Sequence, residues 1–478
     1  MNPSSFEVLV VGAGPAGVLA ALRAADLGAK TALVTRDAFG GMAANDGPVP
    51  VRTLAHAARL MREARQLGQY GISTSDPVLD YPKLLSRVGE VVDEVRRSSA
   101  LREQLGAAGV TILEHAGTAR FRAPHAIETA SGLQLRADTI ILCTGGTSRR
   151  LPIPGFELTA THSDAWSLTS VPPSMVVVGG GATGVQVASV FNAFGSRVQL
   201  FEAGARLLSH EDEAVSHAVT EAFRASGIDV REGFGTIEGF SKVPDGIRMH
   251  VVRDGEASSV DASLVVMAVG WQADTAALNL AGPGIETNAR GFVRVDEFLR
   301  TSVPHVLAAG DVTGGLMLVP QALQAGFVAA TNAVRGDSLN VADVVSPIGS
   351  FTEPEYAQVG LTEARARAKH EIVTAVAPYP ALTRSIIDGR TNGFCKIVVD
   401  RTSHEMLGCH VVGERAVDIV QVAAVAMAGR MRIGELARVP LSFPTYAGIL
   451  GRAAASAARQ LNVGSRPSRI EAEPSWQI

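Results

Sequence analysis

Two glycine-rich turns carry the clearest chemical signal in the sequence. The first covers residues 12–17 after an apolar, strand-like run at 6–11, and the second covers residues 179–184 after a similar run at 174–178. An alanine-rich, helix-like segment follows each turn. Glycines at this spacing leave backbone N–H groups bare at a helix N-terminus, where they bind a pyrophosphate. The sequence therefore predicts two nucleotide sites, with contacts from Gly12, Gly14, Pro15, Ala16 and Gly17 in the first and from Gly179, Gly181, Thr183 and Gly184 in the second.

The residue that ends the second strand of each unit distinguishes the two sites. In the second unit, the strand at residues 197–201 ends at Glu202, whose carboxylate would accept bonds from ribose hydroxyls and repel a 2′-phosphate. NADH is therefore favoured over NADPH there. In the first unit Thr35 holds the equivalent position and carries no carboxylate. Arg36 or Asp37 could contact the nucleotide instead, or both could be solvated surface side chains.

The composition predicts a folded chain of several domains. Its 478 residues, 46% of them hydrophobic, suffice for about three domains. A formal net charge of −4, without a run of like charges, argues against a nucleic-acid-binding protein. The N-terminus has neither a basic segment nor an apolar run long enough for a signal peptide or a membrane span, so a cytoplasmic location is expected. The three cysteines, Cys143, Cys395 and Cys409, have neither CxxC nor metal-ligand spacing, so no metal site is predicted.

The order of the segments predicts an α/β protein with two Rossmann-like dinucleotide-binding domains and a C-terminal α+β domain. Residues 50–110 show helical periodicity with few glycines, which indicates a helical insertion in the first domain. After Pro347 the pattern changes to strands, at 393–399 and 407–412, and then to an alanine-rich helix. The polar residues 464–478 are expected to form a loose tail.

Taken in order, these segments resemble the pyridine nucleotide-disulfide oxidoreductase family over nearly the whole chain. Besides the glycine turns, the resemblance is carried by Thr144-Gly145-Gly146, by residues 268–271 around Gly270, and by residues 300–304 leading to Gly310-Asp311. Residues 351–355 and 359–363 look like the opening of the family's dimerisation domain.

The resemblance implies a set of domains and cofactors. It implies FAD bound by residues 1–149 and 276–345, NAD(H) bound by 150–275, and a dimerisation domain at 346–463. It further implies a homodimer, in which the partner's C-terminal domain completes the active site. The additional FAD and NAD(H) contacts that it implies are Gly41, Met42, Thr144, Gly145, Gly310, Asp311 and Gly270.

The sequence departs from the family at the residues that perform disulfide chemistry. Ala43 and Pro48 stand where the family has its two redox cysteines, and neither can form the attacking thiolate. Phe443 and Gly448 stand where the family has the histidine and glutamate that move protons. The thiols and the proton-transfer pair of disulfide reduction are thus both missing. This predicts that the chain performs a different reaction or none.

A third departure concerns a lysine–glutamate pair that the family places beside the flavin. Arg52 and Gln186 hold those positions, so the ion pair becomes an uncompensated cation that would stabilise anionic reduced flavin or attract an anionic substrate. Alternatively, Arg52 simply bonds to Gln186 and a backbone carbonyl. Small residues at 43, 44 and 47, beside Phe443 and Tyr446, would leave an apolar, aromatic-walled pocket suited to a planar ring.

Three hypotheses follow for the function. The first is an FAD-dependent NADH oxidoreductase that passes electrons from reduced flavin directly to an organic acceptor such as a quinone. The second is a soluble transhydrogenase-like exchange of hydride between pyridine nucleotides, favoured by the aromatic Phe443 before Pro-Thr and disfavoured by Glu202. The third is a non-catalytic dimeric binding protein, which the missing carboxylate at Thr35 would suit.

Overall fold

A computed structural model of the chain describes residues 4–98, 100–341 and 345–463, so the predicted tail at 464–478 lies outside the described residues. Residues 4–148 form β1 (Ser4–Val11), α1 (Pro15–Asp26), β2 (Thr31–Val34), α2 (Gly41–Asn45), α3 (Pro48–Ala64), α4 (Tyr81–Ser98), α5 (Leu101–Ala107), β3 (Thr111–Leu113), β4 (Ala119–Ala123), β5 (Ala126–Thr129), β6 (Gln134–Leu142) and β7 (Gly146–Ser148). Residues 162–273 form α6 (His162–Trp166), β8 (Ser174–Val178), α7 (Ala182–Ala193), β9 (Arg197–Glu202), α8 (Glu213–Ala225), β10 (Asp229–Glu232), β11 (Thr236–Val243), β12 (Gly246–Arg253), β13 (Glu256–Ala262), β14 (Leu264–Met267) and β15 (Trp271–Ala273).

The remaining elements lie between residues 306 and 460. They are β16 (Val306–Ala308), α9 (Val319–Arg335), β17 (Ile348–Ser350), β18 (Tyr356–Gly360), α10 (Glu363–Arg367), β19 (Ile372–Pro378), α11 (Thr383–Ile387), β20 (Phe394–Asp400), β21 (Met406–Val412), α12 (Ala416–Ala428), α13 (Ile433–Leu436) and α14 (Gly448–Gln460). The α/β class expected from the sequence is confirmed. None of the described helices combines the length and apolar character needed to cross a bilayer.

The first sheet places the carboxyl ends of five parallel strands along one edge. Its order is β3-β2-β1-β6, and β16 pairs with β6 on the far side. Parallel strands buried on both faces are apolar throughout, as residues 8–11 of β1 are. The segments that follow β1, β2, β6 and β16 therefore all leave the sheet at its carboxyl edge, where doubly wound α/β sheets bind ligands.

The second unit repeats this arrangement. Its parallel sheet has the order β10-β9-β8-β14, so the second glycine turn follows β8 and Glu202 ends β9 at the same edge. An antiparallel ribbon of β7 and β15 pairs Thr147 with Gln272 and thereby joins the segments that enter and leave this unit. The ribbon holds the two nucleotide-binding units together near their carboxyl edges.

The C-terminal region is built on an antiparallel sheet of order β17-β18-β21-β20-β19. Helices α12 and α14 contribute many of the buried residues of its core, among them Ile419, Ala423 and Ala453. Cys395 and Cys409 are buried in the same core with their sulfurs 3.9 Å apart. The domain boundaries named above stay predictions.

Candidate functional site

The carboxyl edge of the first sheet opens into a cavity of about 900 Å³. It collects residues from the first glycine turn, from the ends of β2, β6 and β16, from the start of α7 and from the C-terminal region. The sequence-predicted residues that line it are Gly12, Gly14, Pro15, Ala16, Thr35, Arg36, Gly41, Met42, Arg52, Thr144, Gly145, Thr183, Gln186, Gly310 and Asp311. Those that do not line it are Gly17, Gly179, Gly181, Gly184, Glu202, Gly270, Phe443 and Tyr446.

The first glycine turn is shaped to bring a ligand close to the backbone. Gly12 has φ 109°, a conformation that glycine adopts without strain, and a Cβ there would lie 2.2 Å from the Cys143 carbonyl oxygen. Gly14 is the N-cap of α1, and a Cβ on it would meet no protein atom closer than 4.0 Å. The unpaired N–H groups of the first helical turn therefore begin beside open cavity, as an anion site requires.

Two polar side chains in the cavity wall, those of Thr144 and Asp311, are placed to bind a polar ligand. The Thr144 hydroxyl is buried without a hydrogen bond among the described residues, which ordinarily costs about 1–3 kcal/mol. Asp311 also lies in the cavity wall, and burial raises the pKa of its carboxyl. A ligand that carries both hydroxyls and a pyrophosphate would satisfy these groups together with the helix N-terminus. The residues present therefore fit FAD.

Arg36, which follows β2 and Thr35, forms ion pairs in the wall of the first site. Arg36 donates from Nε to Asp37 at 2.8 Å and from Nη1 to Asp274 at 2.9 Å, and all three residues line the cavity. The hydrogen bond to Asp37, with a further contribution from Asp274, raises the pKa of the Arg36 guanidinium. Arg36 is thus an ion-paired part of the cavity wall. Asp37 and Asp274 supply carboxylates to the wall that Thr35 also lines.

The second glycine turn is organised around Glu202. Gly180 donates its N–H to Glu202 Oε2 at 2.7 Å, and Gly204 donates to Oε1 at 2.6 Å. The carboxylate is held between the turn and the loop after β9, and its remaining lone pairs can accept ribose hydroxyls. Thr183, in the first turn of α7, lines the first cavity. The second nucleotide site therefore adjoins the first.

Replacing Glu202 by glutamine tests its role in choosing the pyridine nucleotide. Glutamine keeps an oxygen for one loop N–H but removes the charge that would repel a 2′-phosphate. We expect the preference for NADH over NADPH, measured as the ratio of kcat/KM for flavin reduction, to fall about tenfold, equivalent to ~1.4 kcal/mol. Glu221→Gln, an exposed carboxylate on α8, is the matched control and should leave the ratio unchanged. An unaltered ratio in Glu202→Gln would contradict the assigned role.

Arg52 and Gln186 both line the cavity but make no bond to each other. The Arg52 guanidinium stacks on the ring of Phe351, and Gln186 accepts a hydrogen bond from the Ser350 hydroxyl at 3.3 Å. The alternative prediction, a hydrogen bond between Arg52 and Gln186, is therefore wrong. Desolvation lowers the pKa of Arg52 to about 10, opposed by the charges of Glu355 and Asp418. Arg52 remains a cation at neutral pH, stacked on an aromatic face instead of paired with a carboxylate.

The segment that departs from the family motif forms one wall of the cavity. This segment runs from α2 into the start of α3, and the residues of it that line the cavity include Met42, Ala43, Asp46, Gly47 and Pro48. The nearest thiol, that of Cys143, also reaches the wall, but burial raises its pKa to about 12, so thiolate is scarce at neutral pH.

The predicted aromatic wall of Phe443 and Tyr446 does not form within one chain. The Phe443 side chain is 79% exposed and lies outside the cavity. Tyr446 is buried against Tyr379, and its hydroxyl donates to Asp388 at 2.9 Å. Sequence spacing could not reveal this, because the residues that surround Tyr446 come from segments more than 50 positions away.

His162 is a cavity residue that sequence reasoning missed. It is the first residue of the short helix α6, is only 5% exposed, and packs edge-on against Trp271. Its Nδ1 lies 3.1 Å from the Ser148 hydroxyl and its Nε2 3.9 Å from Asp46 Oδ2. No local motif marks this residue, because its partners lie just after α2 and on β7 and β15 and meet it only in the folded chain.

Comparison with known proteins agrees with the geometry over most of the chain. The profile described as "Pyridine nucleotide-disulphide oxidoreductase" matches residues 6–326, and the profile of that family's dimerisation domain matches residues 346–454. A dihydrolipoyl dehydrogenase of Haloferax volcanii is 33% identical over 95% of this chain and 96% of its own. A mercuric reductase of Bacillus cereus is 31% identical over 92% of this chain and 70% of its own. The solved structure of the HOCl-induced flavoprotein disulfide reductase RclA from Escherichia coli superposes with a TM-score of 0.83 at 25% identity, covering 94% of this chain and 99% of its own.

Proposed function

Because this chain belongs to the pyridine nucleotide-disulphide oxidoreductase family, we propose that it passes electrons from NADH through FAD to an organic acceptor that is not a disulfide. The chain is an FAD-dependent pyridine nucleotide oxidoreductase, and its dimerisation domain supports a homodimer. FAD, when bound, accepts hydride from the nicotinamide and delivers two electrons to the acceptor.

The observation that carries the proposal is the pair Ala43 and Pro48. Both line the cavity at the positions where the family has its redox cysteines. Cys395 and Cys409 are buried in the C-terminal core, and Cys143 stands alone with a pKa raised by burial. Disulfide exchange needs an attacking thiolate and a second thiol to resolve the mixed disulfide. Among the described residues of the wall, Cys143 is the one thiol, which supports an electron route that does not use a disulfide.

The charge and shape of the wall favour a planar, electron-poor acceptor. Arg52 presents a cation to the cavity that Ala43 also lines, and Phe351 supplies an aromatic surface against the guanidinium. A cation at this place stabilises negative charge as it develops on a reduced acceptor. A quinone has the planar ring and the carbonyl oxygens that suit this arrangement.

The exposed Phe443 ring suits a role across the dimer. It precedes Pro444 and lies in the C-terminal domain with 79% of its side chain in contact with solvent. It lies within residues 346–454, which match the family's dimerisation domain, and aromatic side chains are enriched in protein interfaces. We infer that it reaches the cavity of the partner subunit, where it would add an aromatic wall and no proton donor.

An anaerobic NADH titration followed by an acceptor tests the proposal. We expect NADH to bleach the flavin absorbance of the purified protein and menadione to restore it without oxygen. Restoration by lipoamide but not by menadione would overturn the proposed acceptor, and FAD-containing protein that NADH fails to bleach would overturn the oxidoreductase role itself. Equal turnover of NADPH and NADH, with hydride exchanged between them, would favour the transhydrogenase alternative.

A further inference from the structure

Reduction of a quinone consumes a proton that the cavity wall must supply. The net reaction joins NADH, a quinone and one proton to give NAD⁺ and a hydroquinone, so hydride transfer alone leaves one oxygen unprotonated. The family's histidine and glutamate are Phe443 and Gly448 here, and neither side chain can donate a proton. A proton donor must therefore come from elsewhere in the site.

Among the described residues that line the cavity, His162 is the one imidazole. The other titratable side chains in the wall are Arg36, Asp37, Asp46, Arg52, Cys143, Asp274 and Asp311. Arg36 is paired with two carboxylates, and the thiol of Cys143 is held protonated by burial. Imidazole is the side chain whose ordinary pKa allows it to give and regain a proton near neutral pH.

The neighbours of His162 fix its Nδ1 in a hydrogen bond and leave Nε2 able to bind a ligand. Nδ1 lies within hydrogen-bond distance of the Ser148 hydroxyl, and the edge-on contact with Trp271 fixes the plane of the ring. Nε2 lies 3.4 Å from the Ser163 hydroxyl and 3.9 Å from Asp46 Oδ2, distances too long for strong bonds. His162 and Asp46 both line the cavity, so Nε2 lies near a carboxylate of the cavity wall.

Asp46 connects His162 to the segment that has lost the cysteines. The Ser163 hydroxyl donates to Asp46 Oδ2 at 2.5 Å, which anchors the carboxylate beside the imidazole. Burial lowers the pKa of His162, while the charges of Asp46 and Asp164 oppose this shift. These two carboxylates are the charged groups that act on His162 among the described residues; its other neighbours, Ser148, Ser163 and Trp271, are neutral.

We propose that His162 donates the proton that completes reduction of the acceptor, with Asp46 as its positioning residue. The inference rests on the proposed function. Bound FAD would carry the two electrons and one proton that NADH gives up as hydride, while the second proton passes from His162 Nε2 to the reduced quinone oxygen. His162 then regains a proton from solvent through the partly exposed Asp46 carboxylate.

His162→Gln, assayed with two acceptors, tests the donor. Glutamine can keep a hydrogen bond to Ser148 but cannot be protonated. We expect the rate of flavin reoxidation by menadione to fall about 100-fold, the scale of general acid catalysis. Reduction by NADH and reoxidation by ferricyanide, which takes one electron and no proton, should be unchanged. His56→Gln, an exposed histidine outside the cavity, is the matched control and should behave as the wild type with both acceptors.

The pH profile separates a proton donor from a merely structural residue. The menadione rate of the wild type should rise as the pH falls through the pKa of His162, and the Asp46→Asn variant should show the same rise at lower pH because it lacks a charge that favours the imidazolium. A menadione rate in His162→Gln equal to that of the wild type, with the same pH dependence, would overturn the inference. If the wild type is reduced by NADH but not reoxidised by menadione, the proposed function itself fails.

Binding of a redox-inactive anion provides a readout that needs no turnover. An anion in the cavity stabilises the imidazolium, so binding of benzenesulfonate, which stays fully ionised at neutral pH, to the oxidised holoprotein should be accompanied by proton uptake. Isothermal titration calorimetry in two buffers of different ionisation enthalpy measures that uptake. We expect it in the wild type and in His56→Gln, and its loss in His162→Gln; uptake that persists in His162→Gln would assign the proton to another group.

Discussion

Gly14→Ala should fold normally and lose most of its FAD. Because a Cβ at this position meets no protein atom closer than 4.0 Å, the substitution does not disturb packing, and φ of −76° suits alanine. The added methyl group instead occupies the space through which a pyrophosphate approaches the N–H groups of α1. Losing one charge-assisted hydrogen bond weakens binding by about 1.5–3 kcal/mol, so we expect the Kd for FAD to rise roughly 10- to 150-fold. Fluorescence titration of the apoprotein measures it.

The equivalent glycine of the second turn provides a matched control. Gly181 is the N-cap of α7 with φ of −79°, and a Cβ there meets no atom within 4 Å. Gly181→Ala should keep its FAD at wild-type affinity and weaken NADH binding, seen as a higher NADH concentration for half-maximal flavin reduction. If both variants lose FAD to the same extent, or if Gly14→Ala binds FAD as the wild type does, the assignment of the two turns to different nucleotides is wrong.

Asp212→Ala should lower the free energy of unfolding by about 3 kcal/mol, since it breaks a buried ion pair between two parts of the chain. Lys396 on β20 donates to Asp212 Oδ1 at 2.8 Å, and their side chains are only 9% and 2% exposed. The same carboxylate caps α8 through the N–H of Ala214 and accepts the N–H of Glu363. Urea denaturation of the holoprotein measures the loss. Asp261→Ala, which breaks a surface pair with Arg248, is the control and should show no measurable change.

The Asp212 cluster also has a defined dependence on pH. Desolvation alone would raise the pKa of Asp212, but hydrogen bonds from Lys396 and from the Glu363 N–H outweigh it and lower the pKa. Its contribution is therefore fully present above about pH 4, the unfolded value, and is lost as the pH falls through the folded value. The difference in stability between the wild type and Asp212→Ala should shrink in acid. A difference that stays constant there would contradict the pairing.

The nucleotide-binding units could be predicted because their signals are local. An apolar run, a glycine turn and a helix follow one another within some 20 residues, so β8 was predicted with the bounds that it has, and Glu202 was predicted at the end of β9. The carboxyl edge of a parallel sheet then brings Gly14, Thr144 and Asp311 to one cavity whatever lies between them in the chain. Such patterns can be recognised in the sequence because the backbone geometry of strands, turns and helices imposes a fixed spacing on apolar residues and glycines.

The chemistry of the wall depended on contacts that only folding creates. The stacking of Arg52 on Phe351 joins residues about 300 positions apart, and Tyr446 is buried because Tyr379 and Asp388 surround it. His162 lies beside Asp46 and Ser148 only in the folded chain. The sequence by itself determined the two glycine turns and the helices that follow them, and it predicts that Ala43 and Pro48 stand where the family has its cysteines. Tertiary structure decided which charges and protons reach the cavity, because a side chain's neighbours across a fold leave no periodic signal along the chain.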